Sequence, residues 1–344
     1  MSVRNDLPRP FFIACIAALG MALIPQAAQA GDAPYHVAAR QFLEGPVRWD
    51  YLSVDSARHR LFLTRGDHVD VFDTQGKTVI GVIPDTGGVH GVAVGTGVER
   101  GYTSNGASDS VTVFDLATLK PITTVAVGAK PDAIVYDPAT KRVFVANAKD
   151  RSLSVIDAAT NTMIKTIALQ GTPETAVVNG KGQLFIAIED RNAITMIDTT
   201  AMVVVRSYSI GPACDEPAGL AIDTATDVLF AGCHNAIMAI VDGRTGKILA
   251  TPTIGKGNDA TAYDAGLKRA FASNGEGTLS VVDGQAPYSV LQSVQTMPRA
   301  RTMTLDPVTH QIYLAAAEAA PGTPPPGTRP ALTPGSFTLL TVSP

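Results

Sequence analysis

The sequence predicts an all-β fold: a seven-bladed β-propeller of four-stranded blades, its ring closed by an N-terminal strand in the last blade. Three observations predict it. An apolar residue followed by Asp recurs at a nearly fixed period. A second Asp anchor runs in register with the first. The last repeat is one strand short, and an unassigned strand-like segment stands just before the first repeat.

The period comes first, because fixed-interval self-similarity at this length marks a repeat architecture. The pairs are Phe72-Asp73, Phe114-Asp115, Ile156-Asp157, Ile197-Asp198, Val241-Asp242 and Val282-Asp283, with Asp spacings of 42, 42, 41, 44 and 41. A seventh copy ends in Ser336–Leu340, with Thr341 where Asp would stand. The second anchor is Asp55, Asp137, Asp223, Asp264 and Asp306, with Gly95 and Asn179 at the same place in the other two copies. Asp137-Pro138 and Asp306-Pro307 have the residues of type I turns. Between the anchors lie short runs of β-branched and aromatic residues, punctuated by Gly, Asn and Asp, and no stretch shows a helical apolar period. Four short strands per repeat is the propeller signature. The strand His36–Leu43 is expected to pair beside residues 336–342, which joins the ends of the ring and covers an open edge.

The second strand and its turn read Gly101-Tyr102-Thr103-Ser104-Asn105, Val143-Phe144-Val145-Ala146-Asn147 and Ala270-Phe271-Ala272-Ser273-Asn274. Downstream stand Ser110–Asp115 (SVTVFD) and Ser152–Asp157 (SLSVID). This pattern resembles the YVTN-type β-propeller repeat, and over about residues 35–342 the chain resembles the YncE-like family of exported bacterial propellers. The resemblance implies the fold and export; it implies no single chemistry. The motif Asn is replaced by Arg65, Ile188, Cys233 and Ala316 in the other four copies.

The first thirty residues read as a Sec-type signal peptide cleaved after Ala30: Arg4 and Arg9, an apolar run from Phe11 to Ile24, then Ala28-Gln29-Ala30. The expected product is residues 31–344, one propeller domain in the periplasm or outside the cell, with no membrane span and expected as a monomer. Cys15 would leave with the leader, so Cys214 and Cys233 remain in an oxidising compartment, as a disulfide or as two separate packed thiols. The whole chain carries −4 and the segment beyond Ala30 −5, with no Lys/Arg cluster. Nucleic acid is therefore an unfavoured partner, although the propeller family admits DNA binders.

Blade register places seven residues around one mouth of the central channel: Asp50, His90, Asp132, Glu174, Ala218, Asp259 and Arg301. Two interpretations stand side by side. Any propeller mouth is wet and polar; alternatively, four carboxylates crowded with one Arg and one His hold a cation or a polyol. Arg301 could instead orient a ligand carboxylate. Loops following the second strands are expected to crown the same face with Arg65, Asn105, Asn147, Glu189, His234, Asn274 and Glu318. Asn105, Asn147 and Asn274 join the ring residues as candidate ligand contacts. His90, Glu174, Glu189 and His234 are the candidate ligands for a divalent metal. The Pro-rich insertion at 320–335 is a lid over the mouth or a plain surface decoration. Trp49 flanks the ligand or packs beside Tyr51.

No covalent haem is expected without Cys-x-x-Cys-His, and neither Gly-x-Ser-x-Gly nor His-Glu-x-x-His occurs. Gly255–Ala260 matches a dinucleotide fingerprint by letters only, because a strand follows it rather than a helix. The sequence thus favours a ligand-binding or protein-interaction scaffold. The rival is a metal-assisted hydrolase or lactonase, or an isomerase, acting on a small sugar-like or lactone substrate.

Overall fold

The computed structural model describes residues 1–2, 34–322 and 330–344. The expected signal peptide and the tip of the insertion lie outside the described residues. Seven four-stranded antiparallel sheets form the ring. Blades 1 to 6 span residues 52–83, 89–126, 131–168, 173–209, 217–250 and 258–295, each with its strands in simple sequence order. Blade 7 combines Thr302–Asp306, Gln311–Ala316 and Thr338–Ser343 with the N-terminal strand His36–Phe42 as its outermost member. His36 pairs with Ser343 and Phe42 with Thr338, so the ring closes as the strand count requires. Among the described residues no helix is long and apolar enough to cross a membrane.

The repeated Asp residues build turns. Asp137, Asp223 and Asp306 accept the backbone N–H of the residue two positions on, and Asp264 accepts those of Gly266 and Leu267. Asp73, Asp115, Asp157, Asp198, Asp242 and Asp283 make the same bond after the third strands. These are Asx-type turns, in which a short carboxylate stands in for a backbone acceptor. They all sit on the propeller face opposite the candidate ring. Backbone N–H donors, chiefly that of Gly76 at Asp73 and that of Thr118 at Asp115, hold these two carboxyls below the usual range.

The core lies between blades. The third residue of every second strand is aromatic and buried: Phe62, Tyr102, Phe144, Phe185, Phe230, Phe271 and Tyr313. Each fills the wedge between adjacent sheets, where large rings bury the most apolar area per position.

The motif asparagines belong to this packing, not to the channel mouth. Asn105, Asn147 and Asn274 are buried, and each side-chain amide donates to two hydroxyls of its own third strand: Ser110 and Thr112, Ser152 and Ser154, Thr278 and Ser280. A strand-end residue lies on the upper face by position, but strand alternation turns its side chain into the blade. Arg65, expected on the rim, is likewise fully buried. It donates to Asp70 and to the carbonyls of Glu44 and Pro46, and stacks 3.9 Å over Phe337. That contact pins the loop before blade 1 to blade 7.

Candidate functional site

The residues that open the first strands converge at the upper mouth. His90 Nδ1 lies 2.5 Å from Asp50 Oδ2 and 3.6 Å from Asp132 Oδ1. Arg301 Nε lies 3.3 Å from Asp259 Oδ2. Across the channel, the Tyr51 hydroxyl of blade 1 donates to Glu174 Oε1 of blade 4 at 2.9 Å. Small residues, Gly91, Ala133 and Gly219, follow the ring positions and let the strands approach the axis. Gly106 has a similar role: a Cβ there would stand 2.7 Å from the His90 ring, so the imidazole needs this glycine to lie where it does.

The protein itself offsets part of the charge of the four carboxylates in this mouth, through His90, Arg301 and the burial of Glu174. Burial raises the Glu174 carboxyl to about 8, and the charge of Asp132 adds to this against the Tyr51 hydroxyl. Burial likewise raises Asp132 to about 6, opposed by His90 and assisted by Asp50. Burial works against charge on His90, but the bond to Asp50 and the charges of Asp132 and Asp50 outweigh it, so the imidazole is held above its ordinary value. Burial and then the neighbouring Glu174 push the Tyr51 phenol well above its usual range. The mouth therefore offers an imidazole whose charged form is favoured by carboxylates, an Arg–Asp pair and, near neutral pH, a protonated carboxyl behind a tyrosine.

Above this floor is a cavity of about 910 Å³. Asp50, His90 and Arg301 form its base; Pro46, Val47, Arg48 and Trp49 form one wall. The base of the insertion forms another wall through Pro330, Ala331 and Leu332. That base is a short paired stem, with Ala320 N–H on Ala331 O and Thr333 N–H on Glu318 O. Trp49 faces the cavity and also packs edge-on to Phe337 at 5.7 Å. The volume suits a small organic molecule.

The four candidate metal ligands do not come together. His90 groups with Asp50 and Asp132, whose ligating atoms lie within 4.8 Å of one another. Glu189 and His234 group instead with Glu216 on the exposed rim of blades 4 and 5, where His234 Nδ1 is 2.8 Å from Glu216 Oε2. Glu174 bonds to Tyr51. Common register set the original grouping, but these residues belong to blades 2, 4 and 5, and the ring separates them. Cys214 and Cys233 are bonded, with Cα atoms 5.4 Å apart, beneath that rim. Sequence reasoning passed over Arg48, Arg299, Tyr51 and Glu216. Their signal was available: Arg48, Glu216 and Arg299 all stand two residues before a ring position.

No protein-family model matches the chain, and no curated protein matches it in sequence. Solved structures do match. Kuenenia stuttgartiensis hydrazine synthase is 17% identical with a TM-score of 0.70, over 81% of this chain and 94% of that one. U3-55K is 10% identical with a TM-score of 0.75, over 89% and 99%. The RRP9 WD40 repeats are 10% identical with a TM-score of 0.73, over 89% and 98%. At these identities the likeness is one of fold: this chain is a seven-bladed propeller.

Proposed function

We propose that this protein is an exported, YncE-like propeller that binds a small molecule in the cavity above its channel, without a catalytic step of its own. The carrying observation is the cavity itself: a part-enclosed space of about 910 Å³ with ionisable groups at its base and apolar walls. Such a combination of apolar lining and a few placed polar groups is the usual form of a ligand site. Export is supported by the leader-like first thirty residues and by the Cys214–Cys233 bond, which suits an oxidising compartment. WD40-like propellers also serve as protein-interaction platforms, and the same face is available for that use.

Thermal denaturation of the protein with a chemically mixed panel of small molecules tests the proposal. A ligand that binds only the folded form raises the melting temperature with the logarithm of its concentration over Kd once the site is saturated. At least one class is expected to do so, and Trp49→Ala is expected to reduce the shift. No shift with any class would overturn the proposal.

One observation favours a second reading, the metal-assisted hydrolase or lactonase: Asp50, His90 and Asp132 present a compact nitrogen and oxygen donor set. His90 Nδ1 is already engaged by Asp50, so binding would compete with that pair. Zinc calorimetry on the wild type and His90→Ala separates the readings. Stoichiometric binding lost in the variant would favour the enzyme, and no binding would favour the scaffold.

A further inference from the structure

The residues two positions before the ring make a second tier above it. In blade order they are Arg48, Gly88, Lys130, Thr172, Glu216, Gly257 and Arg299. Five of them have left-handed backbone: Gly88 (φ 68°), Lys130 (54°), Glu216 (47°), Gly257 (69°) and Arg299 (72°). Glycine takes this conformation without steric cost, and blades 2 and 6 use it. Blade 7 has an arginine there, held against its backbone preference, with its side chain on the cavity.

Three guanidinium groups thus line one cavity: Arg48, Arg299 and Arg301. The acid in the lining is Asp50, and it is held by His90. Arg301 is shared with Asp259. Among the described residues Arg48 and Arg299 make no side-chain hydrogen bond or ion pair. Arg48 is exposed, but its stem lies close over Gly66, where a Cβ would meet its Cδ at 3.1 Å, which anchors the base of the side chain beside the cavity. Cations that share one part-enclosed cavity repel one another unless an anion joins them, and the guanidinium fork matches the oxygens of carboxylate and phosphate. Val47, Trp49 and Leu332 add apolar surface to the same lining.

We infer that the cavity takes an organic anion, with a carboxylate or phosphate ester held by Arg48, Arg299 and Arg301 and an apolar body set against Trp49, Val47 and Leu332. The inference rests on the cavity being the ligand site, and it adds the sign and shape of the ligand. It also makes a bare metal cation a poor occupant of this space.

Calorimetry with four matched probes tests it: 3-phenylpropionate, phenyl phosphate, 3-phenylpropionamide and 3-phenylpropylamine. One or both anions are expected to bind at least ~tenfold more tightly than the amide and the amine, with affinity falling as salt rises. The two anions between them show which oxyanion the arginines prefer. Arg48→Gln is expected to lose ~tenfold in anion affinity with its melting temperature unchanged. Arg299→Gly is the sharper variant. Glycine suits the left-handed backbone, so its melting temperature should hold or rise while anion affinity falls. An Arg299→Gly protein that melts lower and binds the anions normally would make Arg299 a structural residue and overturn the inference. An amide or amine that binds as tightly as the acids would overturn the assigned charge and leave the cavity as a ligand site. No heat with any of the four would overturn both.

Discussion

The two faces of the propeller use the same side chain in opposite ways. On the lower face, Asp115 and Asp157 each accept backbone N–H groups of their own turns and are held below the usual carboxylate range. At the upper mouth, Asp132 and Glu174 stand at the start of their strands with little water around them. Burial drives both upward, to about 6 and about 8. A carboxylate satisfied by backbone amides is a component of the fold and recurs wherever the turn recurs. One that is desolvated and settled by a neighbouring His, Tyr or proton contributes nothing to a turn. It varies from blade to blade, and perturbed groups of this kind mark working surfaces. The periodic acids therefore describe the scaffold, and the aperiodic ones describe the site.

Substitutions on the two faces should separate accordingly. The largest effect is expected on the lower face. Asp264 is fully buried, accepts two backbone N–H groups and lies 2.7 Å from His310 Nδ1. Asp264→Ala leaves all three without a partner and should cost roughly 2–4 kcal/mol in chemical denaturation, with ligand affinity intact. A loss of affinity at unchanged stability would break the comparison.

Glu174→Gln should act through pH. A carboxyl raised from 4.5 to about 8 binds its proton more tightly folded than unfolded. Its contribution is therefore undiminished below its unfolded value and is lost as pH rises toward 8. The variant keeps the acceptor for Tyr51 but has no proton to lose. It should melt close to the wild type at about pH 5 and higher than the wild type above about pH 8. Parallel curves across that window would show that Glu174 ionises normally.

Gly106→Ala should have a smaller and more local effect. The added methyl displaces the His90 ring and loosens its bond to Asp50. The imidazole should then titrate lower in proton NMR, with little change in melting temperature. An unmoved His90 titration would mean that the ring is held from elsewhere. The smallest effect is expected from Asp115→Ala, an exposed turn acceptor, which should lower the melting temperature slightly and leave every property of the upper mouth alone.

The same division explains what the sequence made legible. Blade count, strand boundaries and ring closure could be read because Asp residues mark every turn at a fixed period, and because an unpaired strand must be buried somewhere. The seven ring positions followed from that register. Side-chain direction did not. Asn105, Asn147 and Asn274 end their strands on the upper face, yet they point at hydroxyls within the blade; the spacing from each Asn to its Ser or Thr pair was visible but carried no direction by itself. The proposed metal set failed for a related reason, since register fixes height along the axis and not position around it. Arg48 and Arg299 were missed because attention stopped at the first residue of each strand, and the cavity begins two residues earlier.

The contrast between the faces can be read directly from the carboxyl carbons. An NMR titration of the side-chain carboxyls in the intact protein should find Glu174 changing near pH 8 and Asp132 near pH 6, while Asp115 and Asp157 change below the ordinary aspartate range. If all four instead titrate together near pH ~4, where unperturbed carboxyls do, the upper mouth is as wet as the lower face and the account is wrong.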